Sequence, residues 1–262
     1  MDLNLLGKRA LVCGSSQGIG RACAEQLAAL GASVVLFSRD RDKLEAVRET
    51  LDTSAGQAHA ALVADFAHPE QVKAAVAQLL QGSGPCEILV NNTGGPAPGP
   101  AHNADPQAFV DAFNLHLISN QTLVQALLPG MQSAGYGRVI NIISTSVKQP
   151  LNGLGVSNTV RGAVASWAKT LANELGQFNI TVNNVLPGAT ATVRLDAILE
   201  NKTKKLGQSR AEVEAAEKAM IPMRRFGEAS EIANAVAFLA SPAASYINGV
   251  NLPVDGGRTG CL

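Results

Sequence analysis

Short apolar runs alternate with amphipathic segments along the whole chain, and that alternation admits few folds. Residues 8–13 (KRALVC) run straight into a glycine turn. Residues 18–31 then place Ile19, Ala22, Cys23, Gln26, Leu27 and Leu30 at helical spacing and stop at Gly31, and residues 32–38 (ASVVLFS) are apolar again. A near-continuous apolar strand is one buried on both faces, which is the mark of a parallel sheet covered by helices. The unit repeats with a charged amphipathic helix at 41–55, a strand at 58–64, a helix at 69–81 and a strand at 87–91. Helices over 105–134, a strand at 137–143, a helix at 155–177, a strand at 180–186, a helix at 229–240 and a strand at 249–254 complete it. The pattern predicts an α/β fold, a single Rossmann-type domain over residues 1–262 with a doubly wound parallel sheet and helices on both faces. Two stretches break the rhythm. Residues 94–104 (GGPAPGPAHNA) read as a loop, and the polar, helix-prone residues 194–222 read as an insertion beyond the carboxyl end of a strand, where a substrate lid would lie.

Composition narrows the function classes. Apolar residues make up 46% of the chain and charged residues 16%, which supplies a large core and excludes a disordered chain. Lys+Arg and Asp+Glu balance at 21 each, so net charge makes no case for a nucleic acid or an anionic membrane as partner, and a small-molecule substrate is expected instead. The four cysteines, at 13, 23, 86 and 261, form no CxxC pair and no His cluster has ligand spacing, which argues against a metal site or a disulfide framework. Cys13, Cys23 and Cys86 read as small core residues in a reducing compartment. With no secretory pattern at MDLNLLGKRALV and no membrane-length apolar stretch, the expected location is the cytoplasm.

The first strand leads into Gly14-Ser-Ser-Gln-Gly18-Ile-Gly20, a helix follows at once, and the next strand comes about twenty residues on. Glycines at such a turn let the backbone approach a pyrophosphate, and the helix N-terminus supplies free N–H groups and partial positive charge. After the second strand the chain reads Phe37-Ser38-Arg39-Asp40-Arg41. Arg39 suits a 2′-phosphate, which favours NADP(H) over NAD(H); Asp40 suits either the ribose of NAD or the N-cap of the next helix.

In this setting the chain resembles the short-chain dehydrogenase/reductase superfamily over nearly its whole length, with the flavour of its 3-oxoacyl-carrier-protein-reductase-like branch. The glycine turn CGSSQGIG resembles the TGxxxGIG motif, Asn91-Asn92-Thr93-Gly94 resembles NNAG, Asn141-Ile-Ile-Ser144 resembles the strand that ends in the active-site serine, and Pro187-Gly188 with Thr192 resembles PGxxxT. Asn248-Gly249 and Val254-Asp255-Gly256-Gly257 match the family's C-terminal motifs. The resemblance implies a cofactor site made of Gly14, Ser16, Gln17, Gly18, Ile19, Gly20, Arg39, Asp65, Phe66, Asn91, Gly94, Arg161, Pro187, Gly188, Thr190 and Thr192, with Asp65 at the adenine. It implies catalytic roles for Ser144 and for Asn114 on its helix, and a homotetramer or homodimer built through the long helix 155–177 and the tail Gly249–Leu262.

One element of the family pattern is missing. The family's Tyr-x-x-x-Lys pair falls, in the register set by Arg161-Gly-Ala-Val and Lys169-Thr-Leu-Ala-Asn-Glu-Leu-Gly, on Ser157 and Arg161. The i,i+4 spacing still puts the two on one helix face. Tyr136 and Tyr246 are the chain's two tyrosines, and neither fits the motif. A cation about 4 Å from a phenol at an effective dielectric near 20 is worth roughly 4 kcal/mol, or about three pKa units, and arginine supplies that field nearly as well as lysine. Serine cannot replace the phenol. An aliphatic hydroxyl, taken as similar to water at about 16, would need a shift of roughly eight units, about 11 kcal/mol. Candidate substitutes are Lys148, four residues after Ser144, which also reads as an ordinary exposed lysine, and a water held by Ser144, Ser157 and Asn114. His102, on the Pro-Gly loop, and His116, two positions from Asn114 and so turned another way, are weaker candidates. Three functions remain open: an NADP(H)-dependent carbonyl/alcohol oxidoreductase with a substitute proton donor; a catalytically silent NADP(H)-binding homologue acting as sensor or partner subunit; and, least favoured, an elimination chemistry like that of the halohydrin dehalogenases.

Overall fold

Successive residues of each central strand point to opposite faces, and both faces are dry. The computed structural model describes residues 1–261. In the strands β1 (Arg9–Cys13), β2 (Ser33–Ser38), β4 (Ile88–Asn91) and β5 (Gly137–Ile142), residues such as Ala10, Val12, Val34, Leu36, Val90 and Ile140 pack on one side, and Leu11, Cys13, Val35, Phe37, Leu89 and Val139 on the other. The first side is covered by α1 (Gly18–Ala29), α2 (Arg41–Arg48) and α9 (Ala229–Ala240). The second is covered by α3 (Pro69–Ser83), α5 (Ser119–Ala134) and α6 (Gly155–Leu175). With β3 (Ala60–Val63), β6 (Ile180–Pro187) and β7 (Asn251–Val254), the sheet has seven parallel strands in the order β3-β2-β1-β4-β5-β6-β7. The winding direction reverses between β1 and β4, and the crevice at that point, beyond the carboxyl ends of the strands, is where such sheets take ligands. Cys13, Cys23 and Cys86 are buried, as their apolar surroundings suggest. No helix among the described residues is long and apolar enough to cross a membrane.

The structure redraws three boundaries. The second helix stops at Arg48 instead of running to 55, because Thr50 turns its hydroxyl onto the Val47 carbonyl and Asp52 accepts from the Ser54 N–H. Such local side-chain bonds compete with the helix. The stretch 105–134 is α4 (Pro106–Phe113) and α5 joined by one π-helical turn, Asn114–Ile118. The insertion is two helices, α7 (Val193–Leu206) and α8 (Arg210–Ala219). They are separated by Gly207 at φ +64° and by Ser209, which forms a capping box with Glu212.

Four asparagines cross the sheet side by side. Strand register pairs Asn91 with Asn141, Asn141 with Asn184, and Asn184 with Asn251. Each carboxamide donates to the next, at 2.9, 2.9 and 2.8 Å. Asn141 and Asn184 sit in the buried interior, where an unpaired amide is costly and a paired one is tolerated. Asn141→Leu strands both the Asn91 donor and the Asn184 acceptor, and is expected to cost about 2–4 kcal/mol. Urea unfolding should show a lower midpoint with an unchanged slope.

Candidate functional site

The glycine turn after β1 is held by backbone and by close approach. Gly14 donates to the Phe37 carbonyl at 2.7 Å, and the Ser15 hydroxyl accepts from the Phe37 N–H at 2.9 Å, which fixes the turn to β2. Asn92 Nδ2 reaches the Cys13 and Gly14 carbonyls, both at 3.3 Å, which fixes it to the end of β4. A Cβ on Gly20 would stand 2.2 Å from the Gly14 oxygen, and one on Gly14 would stand 2.5 Å from the Asn92 oxygen, so neither position admits a side chain. Gly18, at φ +56°, faces Thr192 across a gap that its own missing side chain leaves open. Ser16 and Ile19 are half-buried and Gln17 is exposed. No side chain caps α1 at Gln17 and no acid stands in its first turn, so its N-terminal N–H groups are left for another acceptor.

At the end of β2 one ambiguity disappears. The Asp40 carboxylate accepts from the Lys43 N–H at 3.2 Å and pairs with Lys43 Nζ at 3.1 Å, so it is the N-cap of α2. The same bonds hold it below the usual carboxylate range. Arg39 is exposed. Beyond β3, Asp65 accepts from the Ala67 N–H, the Phe66 ring packs 4.7 Å from Phe37, and the Phe66 carbonyl accepts from Ser119 Oγ at 2.9 Å. Gly188 donates to the Val254 carbonyl, where a Cβ would stand 2.7 Å from Asp255 Cα. Pro187 ends β6, Thr190 is buried and bonded to the Gly188 carbonyl, and Thr192 caps α7. Gly94 is exposed, and the Asn91 side chain belongs to the asparagine row. These residues fit a dinucleotide: a side-chain-free cradle at a helix N-terminus, a wall at Thr192 and an exposed guanidinium at Arg39.

The chemistry-bearing residues gather beyond β4, β5 and β6. Ser144 ends the β5 segment and its Oγ accepts from the Ser146 N–H at 3.1 Å. Lys148, half-buried, lies four residues on, and its carbonyl is met by Cys261 Sγ at 3.8 Å, while the Gly260 N–H donates to Gln149. The tail expected at a subunit contact is thus laid over this loop, with Leu262 outside the described residues. Ser157 is half-buried on α6, one turn before Arg161. Arg161 is 8% exposed and donates from Nη1 to the Ile142 carbonyl at 2.8 Å. Burial and the nearby Arg194 pull its pKa down to about 10, so it stays charged at neutral pH. Asn114 opens the π-turn, its carbonyl accepting from the Ser119 N–H five residues on. Neither tyrosine reaches this group. Tyr136 donates to the Ala240 carbonyl at 2.6 Å between the cations of Lys8 and Arg138, and Tyr246 is fully exposed.

Sequence reasoning ranked His116 among the weaker proton-donor candidates and missed Arg194. His116 is 2% exposed, with Nδ1 2.6 Å from Thr93 Oγ1, and the charges of Arg161 and Arg194 both act on it. Nothing in the sequence shows the π-turn that seats it. Arg194 donates to the Gly95 and Pro96 carbonyls at 3.1 and 3.3 Å and ties the 94–104 loop to α7. A cation in the first turn of a helix opposes the dipole, and that misplacement was the available signal. Burial first, then Arg161 and Arg194, lower the His116 pKa from 6.5 to about 2. His116 is therefore neutral at physiological pH and is no imidazolium acid. Below about pH 6.5 the unfolded chain binds a proton that the folded ring refuses, so this group lowers stability as pH falls, by up to about 1.4 kcal/mol per unit. His116→Gln should flatten the acid limb of the stability profile between about pH 6 and 4, read by urea titration at each pH.

Residues 14–259 match the family described as enoyl-(acyl carrier protein) reductase. The chain is 36% identical to the 3-oxoacyl-[acyl-carrier-protein] reductase FabG of Pseudomonas aeruginosa, over 97% of this chain and 98% of that protein. It is 32% identical to the NADPH-dependent reductase BacG of Bacillus subtilis, over 95% and 97%. The L-sorbose reductase of Gluconobacter frateurii, solved with NADPH and L-sorbose, superposes with a TM-score of 0.93 at 33% identity, covering 100% of both chains. Fold, switch-point crevice and full-length kinship agree: the chain belongs to the short-chain dehydrogenase/reductase superfamily, in the family described as enoyl-(acyl carrier protein) reductase.

Proposed function

We propose that this protein is an NADP(H)-dependent oxidoreductase that interconverts a carbonyl and an alcohol on a small or acyl substrate, with an atypical proton donor. The observation that carries the reading is the cradle at Gly14, Gly18 and Gly20, closed to side chains and set at an uncapped helix N-terminus. Capture of Asp40 by α2, which leaves Arg39 as the group for a 2′-phosphate, supports NADP(H) over NAD(H). Relatives named as NADPH-dependent or solved with NADPH support it too.

Gly14 to Gly20 would hold the pyrophosphate, Arg39 the 2′-phosphate, Asp65 and Phe66 the adenine side, and Pro187, Gly188, Thr190 and Thr192 the nicotinamide end. Asn91 and Gly94 would flank the ribose, together with Arg161. The nicotinamide, when bound, supplies or accepts the hydride. Ser144 and Asn114 would orient and polarise the carbonyl. Ser157 and Arg161 stand where the superfamily carries its tyrosine and lysine, so Arg161 contributes charge, and the proton comes from Lys148 or from a water held by Ser144, Ser157 and Asn114. Helices α7 and α8 would serve as the lid. The long helix α6 and the C-terminal tail would form the contacts of a homodimer or homotetramer.

Calorimetric titration with NADP(H) and NAD(H), followed by a carbonyl screen on the same sample, tests the reading. NADPH should bind more tightly than NADH, and turnover should be lost in Ser144→Ala. Indifference to both nucleotides would remove the proposal. Tight binding with no turnover over a broad panel would favour the silent homologue, the reading that the absence of a tyrosine near Arg161 supports.

A further inference from the structure

Four segments leave the carboxyl ends of four neighbouring strands and close on one another. Loop 94–104 follows β4, residues 144–154 follow β5, α7 and α8 follow β6, and the tail 255–261 follows β7. Gly99 donates to the Gly153 carbonyl at 2.7 Å and accepts from the Gly155 N–H at 2.9 Å. A Cβ on Gly155 would stand 2.4 Å from the Ala101 nitrogen, so the first two segments meet without a gap. Gln149 accepts from the Gly260 N–H at 3.3 Å, and Cys261 Sγ meets the Lys148 carbonyl at 3.8 Å, which joins the second segment to the tail. In the tail, Arg258 pairs with Glu217 of α8 at 3.4 Å, and Glu217 also pairs with Lys202 of α7. Arg194 of α7 returns to the Gly95 and Pro96 carbonyls and completes a ring. The ring spans the ends of β4 to β7, where Ser144 and Lys148 stand, and the glycine cradle after β1 lies outside it.

The links are unequal. The bonds from the tail to Gln149 and Lys148 are one long N–H bond and one weak thiol contact, too little to seat a chain end alone. The tail is held instead at Glu217, whose side chain is only 12% exposed and which faces two cations from two different segments. From Arg258 the hold is passed on by a stiff turn, because Asp255 accepts from the Gly257 N–H at 2.9 Å and from the Thr259 N–H and hydroxyl at 2.8 and 2.6 Å. We infer that Glu217 is a positioning residue: by fastening Arg258 to α8 it seats the tail on the loop that carries Ser144 and Lys148. This rests on the oxidoreductase reading above and adds to it a residue that touches neither substrate nor cofactor. Without the Glu217 charge, Lys202 and Arg258 face each other as like charges, Arg258 turns to water, and the loop loses its cover.

The test is hydrogen–deuterium exchange on the full chain, with turnover on any ketone found in the carbonyl screen. In Glu217→Gln, amides of residues 146–151 should exchange about tenfold faster, as expected on losing hydrogen bonds to a charged group. Arg258→Gln should do the same, the double variant should do no more, and Arg258→Lys should keep part of the protection. In a Gln149→Ala background, which already frees the tail from the loop, Glu217→Gln should change nothing further at 146–151. With Glu217→Gln, kcat should fall about tenfold or more, since a displacement of about 1 Å at a reacting group costs up to about 100-fold. The KM for NADPH should not move. Faster exchange confined to α7 and α8 would overturn the inference and leave Glu217 a purely structural residue. So would faster exchange at 146–151 with kcat unchanged. Should Glu217→Gln fail to fold, Arg258→Gln decides the matter by the same two readouts. If the exchange pattern appears and wild type itself turns over no ketone, the seating of the loop stands and the oxidoreductase reading fails.

Discussion

Ser157→Tyr is expected to raise the rate of carbonyl reduction by about 10²–10⁴ over the wild-type chain, with NADPH affinity little changed. The position lies one helical turn before Arg161 on α6, half-buried, and the Ser157 hydroxyl makes no hydrogen bond to a described residue, so the change breaks nothing that holds the helix. Arg161 is already charged and buried nearby. A cation at about 4 Å lowers a phenol by roughly three pKa units at an effective dielectric near 20, which brings tyrosine from about 10 to the neutral range where proton transfer is efficient. Adding Arg161→Lys should change the rate further by a smaller factor, since lysine supplies the same charge at a single point. The assay is NADPH oxidation over the same carbonyl panel for wild type, the single variant and the double variant. If the tyrosine variant gains nothing on any substrate the wild type accepts, protonation is not the step that limits this enzyme.

Gly20→Ala should weaken nucleotide binding by up to about 100-fold. The added methyl would stand 2.2 Å from the Gly14 carbonyl oxygen and 2.7 Å from Asn92 Nδ2, and the nearer atom is backbone, which cannot swing aside. Relief requires α1 to move off the turn, and α1 packs on α9 and on β1 and β2. Overpacking of this kind costs about 3 kcal/mol. If the whole cost falls on the turn, NADPH affinity drops about 100-fold. If part falls on the helix, the melting temperature drops with it. Gly18→Ala is the control: its methyl would sit 3.5 Å from Thr192 Cγ2, so the space exists and only the positive φ is strained. It should weaken binding by less.

Periodicity made the sheet legible before any coordinates. The near-continuous apolar runs ALVC and VVLF could only be strands buried twice over, and both faces of β1 and β2 are dry. The glycine turn was legible because its function demands glycine where chemistry forbids a Cβ. Asp40 was not, because a carboxylate after a strand suits both a ribose and a helix cap, and only the Lys43 N–H decides between them. The π-turn at Asn114–Ile118 left no trace, since one extra residue per turn is invisible to a pattern read at 3.6. The rule that sets residues two apart on different sides of a helix therefore turned attention from His116, which lies buried against Thr93 within reach of two guanidinium charges. Long-range bonds such as Arg194 to Gly95, 99 positions apart, follow from topology and have no local signature.

The asparagine row has a direction. Every link donates outward from β4 to β7, so its peptide-like dipoles add, and the negative pole falls on Asn91 Oδ1, which is buried and takes no donor among the described residues. Strand β7 hangs at the far end of that chain, three strand spacings or about 14 Å away. Cutting an inner link depolarises those beyond it, so amide exchange in β7 should quicken when a residue of β4 is changed, and the rim of the sheet becomes a remote gauge of its centre.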